Sequence, residues 1–104
     1  MVQVDELKAL LASGWLFCIY CKEPPEIRGV HVHGLWYVFA IEPTKREEWV
    51  ALVTQRGRRI AGATYAFREF RTPTPIFRMC DEFGYPITAY PTKAGQSLII
   101  EKPN

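Results

Sequence analysis

The chain has 104 residues, 48% of them hydrophobic and 13% aromatic, enough apolar side chain for one compact domain spanning residues 1–104, and this excludes a disordered tail. Thirteen basic against eleven acidic residues leave a net charge of +2, which permits nucleic-acid binding without requiring it. Three cysteines make no disulfide framework, no apolar run reaches bilayer-spanning length, and Asp5 and Glu6 stand where an export signal is basic, so a cytoplasmic, non-membrane protein is expected. The single asparagine, Asn104, hints weakly at a hot environment.

In chain order, Asp5 is placed to cap a short helix with Val4, Leu7, Leu10 and Leu11 on one stripe, ended by Gly14. The apolar run from Trp15 to Glu23 has strand length and is predicted to stop at Pro24-Pro25. Cys18 and Cys21 have metal-ligand spacing, but residues three apart in a strand point to opposite faces, which argues against a zinc site and for buried apolar cysteines. Val30 to Ile41 is rich in β-branched and aromatic residues between Gly29 and Pro43, and is expected to pair antiparallel with the preceding strand.

That second strand carries both histidines of the chain, His31 and His33, one residue apart and therefore on one face. Two imidazoles aimed at one point need only a carboxylate to hold a divalent cation. Glu23, at the end of the partner strand on the face of Cys21, is the first candidate, and Glu26 in the intervening loop is its rival. The alternative is a pair of structural histidines packed on neighbouring rings.

Further along, Thr44 and Glu47 have capping-box spacing, and Trp49, Leu52 and Val53 suggest a helix ending at Gly57. Arg56, Arg58 and Arg59 cluster near that end, where they are available to nucleic-acid phosphates. Residues 60–70 are expected to form a third strand, 71–75 a loop, 76–88 an ambiguous segment, and 96–102 a last strand. The pattern predicts an α+β fold with a mainly antiparallel sheet of about four to five strands and helices packed on it.

The segment Cys21 to Leu35, a carboxylate followed by a short loop and His-hydrophobic-His, resembles the metal-site hairpin of the HUH endonucleases, the rolling-circle replication initiators of single-stranded DNA viruses and plasmids. Ala89-Tyr90-Pro91-Thr92-Lys93-Ala94-Gly95 followed by Gln96 to Ile100 is similar to that family's Y-x-x-K-x-G signature and its apolar strand. The family's aromatic, Thr-rich first motif is missing or reduced, since only Met1 to Val4 precede Asp5. The resemblance implies an HUH/RRM-like nuclease domain in which His31, His33 and Glu23 hold Mg²⁺ or Mn²⁺. It implies Tyr90 as the nucleophile forming a 5′-phosphotyrosyl intermediate on single-stranded DNA, with Lys93 beside the phosphate. Placed at the start of a helix by Pro91, Tyr90 has Tyr85, Tyr65 and Tyr37 as alternatives. A homo-oligomer is compatible with all of this. The contrasting expectation is a non-catalytic viral or archaeal module that binds nucleic acid or protein.

Overall fold

The computed structural model describes residues 2–59, 62–85, 87 and 89–101, with the side chains of 54–59 and 62–65 outside the description. Helix α1 (Val4–Ala12) buries Leu7 and Leu11 and half-buries Val4 and Leu10, as the spacing requires. It begins two residues earlier than a cap at Asp5 would set it, with Gln3 as N-cap, and the chain leaves it through Gly14 at φ +105°. Next come the strands β1 (Leu16–Arg28) and β2 (His31–Ile41), an antiparallel hairpin turned by Gly29 and Val30. Gly29 has φ +65°, a conformation glycine adopts without a Cβ penalty.

β1 does not stop at Pro24-Pro25 but runs through them to Arg28. Beyond Cys21 the strand has β2 on one side only among the described residues, so a missing proline N–H breaks no ladder there. Two register shifts, between Cys21 and Glu23 and between Glu23 and Glu26, absorb the irregularity as bulges.

The helix expected after Thr44 does not form. Residues 42–48 make the turn between β2 and β3 (Trp49–Ala51), and β4 (Val53–Arg59) follows. The Thr44 hydroxyl donates to Glu42 Oε2 at 2.6 Å, holding that carboxyl below its ordinary range, and the Thr44 N–H donates to Oε1 at 3.2 Å. Thr44 thus satisfies a local turn where the capping box needed it at a helix start. β5 (Gly62–Phe67) pairs with β4 as a separate antiparallel ribbon. Helix α2 (Thr74–Phe83) takes the last two residues of the expected loop and the first part of the ambiguous segment, with Pro75 in its first turn, Gly84 at φ +79° as its stop, and Ile76, Met79, Cys80 and Phe83 buried on one stripe.

The main sheet has the order β3-β2-β1-β6, with β6 (Ser97–Ile100) antiparallel to β1. This is the α+β fold with a mainly antiparallel sheet. Both helices supply the core on one face of it, where Phe17, Ile19 and Cys21 of β1 and Trp36, Val38 and Ala40 of β2 are buried. No helix among the described residues is long and apolar enough to cross a membrane.

Candidate functional site

The hairpin register decides which side chains meet. Arg28 faces His31, Glu26 faces His33, Glu23 faces Leu35, and Cys21 faces Trp36. The extra residues lie in β1, so β2 keeps its alternation. His31, His33, Leu35, Tyr37 and Phe39 share the outer face, opposite the core face of Trp36, Val38 and Ala40. In a regular strand Glu23 would lie with Cys21. The first bulge adds one residue and turns Glu23 onto the histidine face.

On that face lies a cleft of about 350 Å³ lined by Glu23, Glu26, Arg28, His33 and Arg71, with Gly34 at its floor. Arg71 bridges two carboxylates, Glu23 at 3.2 Å and Glu69 at 2.9 Å, and Arg28 reaches Glu26 at 3.4 Å. Arg71 is fixed at its backbone, where its carbonyl accepts the Gly34 N–H at 2.8 Å. The Glu23 and Glu26 side chains and both guanidiniums are more than half exposed, so each of those pairs contributes at most about 1 kcal/mol and exchanges easily for a ligand.

His31 is exposed at the hairpin tip, with its ring centroid 6.2 Å from that of His33. The structure therefore brings His33, Glu23 and Glu26 to one cleft, with His31 beside it on the same face. Among the described residues no three His, Cys, Asp or Glu side chains stand as a metal-holding group. Glu23 faces Arg71 and Glu26 faces Arg28, so an ion held by His31, His33 and Glu23 would have to displace Arg71 from its carboxylate.

Tyr90 and Lys93 are elsewhere. Residues 90–95 form a loop and turn, with the Thr92 and Lys93 N–H groups donating to Gln96 Oε1 at 3.0 and 3.2 Å, and no helix starts at Pro91. Tyr90 packs its ring against Trp36 at 5.5 Å and Phe77 at 5.7 Å, on the core side of the sheet and across it from the imidazoles. Lys93 is exposed in the turn. Of the other tyrosines, Tyr85 is buried with its hydroxyl donating to the carbonyls of Leu11 and Trp15, and Tyr37 is half-buried on the histidine face. The side chains of Tyr65, Arg56, Arg58 and Arg59 lie outside the described residues.

Sequence reasoning missed Arg71, and of the rings neighbouring the histidines it reached Tyr37 and Phe39 but not Tyr20, Trp49 or Phe67. Tyr20 and Tyr37 face each other across β1 and β2, nearly parallel, with centroids 6.4 Å apart. Phe39 meets Tyr20 edge-on at 6.3 Å, Trp49 at 5.3 Å and Phe67 at 5.8 Å. These rings form a row on the outer face, half-buried except for Trp49, which is exposed. The alternation of Tyr37 and Phe39 with the histidines was the available signal.

Cys18 and Cys21 do point to opposite faces, opposite Phe39 and Trp36 respectively. Burial pushes both thiols up from their ordinary range, with Ser97 partly offsetting this at Cys18, so neither is poised as a thiolate ligand. No family model, curated protein or solved structure matches the chain.

Proposed function

We propose that this chain binds single-stranded nucleic acid on the outer face of its main sheet. One observation carries the reading: the row of Tyr20, Tyr37, Phe39, Phe67 and Trp49 on a face the core does not use, running toward a cleft that holds Arg28 and Arg71. Unpaired bases present π-faces that stack on aromatic side chains, and guanidiniums pair with the phosphates between them. Arg56, Arg58 and Arg59, expected at a helix end, instead belong to the β4–β5 ribbon, whose Phe67 joins the row. Three buried free thiols suit a cytoplasmic setting, the host cell's if the chain is viral.

A second reading is metal-dependent nicking and joining of single-stranded DNA, as the HUH resemblance implies. It is favoured by the cross-strand pair of His33 and Glu26, with His31 and Glu23 on the same face. There His31, His33 and Glu23 would hold Mg²⁺ or Mn²⁺, with Arg71 giving way at Glu23, and the ion would polarise the scissile phosphate. With Tyr90 across the sheet, the described phenols on the histidine face are Tyr37 and Tyr20.

One set of labelled oligonucleotides tests both. In fluorescence anisotropy at low salt, single strands should bind more tightly than duplex, and Tyr20→Ala or Tyr37→Ala should weaken binding by about 1–3 kcal/mol. Duplex preference, or affinity unchanged in both variants, removes the binding reading. A covalent adduct formed with Mn²⁺ and lost in Tyr37→Phe or Tyr90→Phe supports nicking and names its nucleophile. Absence of any adduct leaves binding alone.

A further inference from the structure

The charged side chains of the cleft stand in mixed pairs. Arg71 is shared between Glu23 and Glu69, and Arg28 answers Glu26, so these groups carry no excess positive charge and set acceptors beside donors. The pair of Glu23 with Arg71 is held from both sides. The bulge after Cys21 turns the carboxylate onto the histidine face, while Glu69 Oε2 accepts from Arg71 Nη2 at 2.9 Å and holds the guanidinium in place. Arg71 Nη1 directs one of its two hydrogens to Glu23 Oε2 at 3.2 Å. Taken in order, Oε1, Oε2 and Nη1 therefore offer acceptor, acceptor, donor. His33 lines the same cleft, and Gly34 leaves its floor without a side chain. Tyr37, Leu35 and His33 succeed one another on the outer face of β2, so the aromatic row reaches the cleft within about 13 Å of strand.

We propose that the cleft takes one guanine of the bound strand, read by the Glu23–Arg71 pair; this rests on the single-strand reading above and names the base which that reading leaves open. Guanine presents donor, donor, acceptor along its Watson–Crick edge, as N2–H, N1–H and O6, the complement of Oε1, Oε2 and Nη1. Glu23 accepts from N2–H and N1–H, and the second Nη1 hydrogen of Arg71 goes to O6. Adenine brings an acceptor beside one donor, thymine a donor between two acceptors, and cytosine a donor followed by two acceptors. In that register each sets an acceptor against a carboxylate oxygen and loses the match. The half-buried His33 ring gives the base a face to stack on, and Arg28 at the hairpin end remains for the adjoining phosphate. The aromatic row accepts any base, so the cleft beside it is where a choice among bases is made.

Low-salt anisotropy of the full chain with labelled oligothymidine strands tests this, one central thymidine being replaced by dG, dA, dC or deoxyinosine. The dG strand should bind about tenfold more tightly than the all-thymidine strand, and deoxyinosine, which lacks the N2 amino group, should recover only part of that gain. Glu23→Gln turns one acceptor into a donor and should bring the dG and all-thymidine strands to equal affinity. Should that variant not fold, the strand series on the unaltered chain carries the test. Equal affinity for every strand, or tightest binding of the dA or dC strand, overturns the guanine assignment and leaves single-strand binding standing. Binding of no strand at all overturns both. A dG preference that survives Glu23→Gln, or that deoxyinosine keeps in full, removes the Glu23–Arg71 pair as its reader and overturns the proposal.

Discussion

Gly34 shows how tightly the cleft is tied to the core beneath it. A Cβ there would come within 2.8 Å of Trp36 Cη2 and 3.2 Å of the Glu23 carbonyl oxygen. The indole cannot swing aside, because its Nε1–H donates to the Pro91 carbonyl at 2.9 Å in a fully buried site. Gly34→Ala should therefore cost about 1–3 kcal/mol in urea unfolding, a penalty of overpacking, and a stability equal to the parent would show that the ring gives way. The sequence marks this glycine only as an interruption in a β-branched run, since the ring that fills its missing side chain lies two residues on, along the same face. Arg71 was hidden for the opposite reason. It sits in a stretch that looks like a plain loop, and only the pairing of Phe70 with Trp36 brings it beside Glu23.

Among the elements, the corner joining α1 to β1 is held from a distance. The Tyr85 hydroxyl, just after α2, donates to the carbonyls of Leu11 at 3.1 Å and Trp15 at 2.9 Å, closing the end of the first helix against the start of the first strand. Tyr85→Phe leaves the ring in place and should lower stability by about 1–2 kcal/mol in denaturant melts, chiefly the cost of the Trp15 carbonyl losing its donor, since the Leu11 carbonyl keeps the Gly14 N–H. No loss would mean that water reaches these carbonyls. Hairpin and helix α1 were legible because β-branched runs and a four-residue stripe are strong periodic signals. The bulges of β1 were not legible, because one surplus residue leaves no mark in composition while it reverses every side chain that follows. The segment after Thr44 misled for a related reason. Its apolar spacing fits a helix and a strand alike, and the bond from Thr44 to Glu42 decided between them.

At the scale of the molecule, burial couples stability to pH. The Cys80 thiol is pushed up to about 12 from its ordinary 9.0, mainly by burial and then by the charge of Asp81. Burial shifts Cys18, Cys21 and Tyr85 upward as well. Below an unfolded thiol's value near 9.0, folded and unfolded chains both keep the proton, and stability from this source is fully present. As pH rises beyond it the unfolded chain ionises first, and stability falls until the folded group ionises as well. Unfolding free energy should be flat from about pH 7 to about pH 8 and then drop, each such group contributing up to ~1.4 kcal/mol per pH unit. Cys80→Ala should make the slope shallower in urea titrations at stepped pH, and an unchanged slope would show that this thiol ionises alike in both states.

The α+β class was legible because the apolar runs alternate in period from helix to strand. The outer aromatic row was not, because it assembles from β1, β2, β3 and β5 at once. The seat of β6 has a kinetic meaning. Phe17 takes Ile100 as its neighbour, so the first strand made waits for nearly the last segment described before its outer flank is covered. Bringing such remote stretches together costs loop entropy before any contact repays it, a cost that the local hairpin of β1 and β2 does not carry. Until it happens, the apolar flank of β1 stands open to whatever other chain is near.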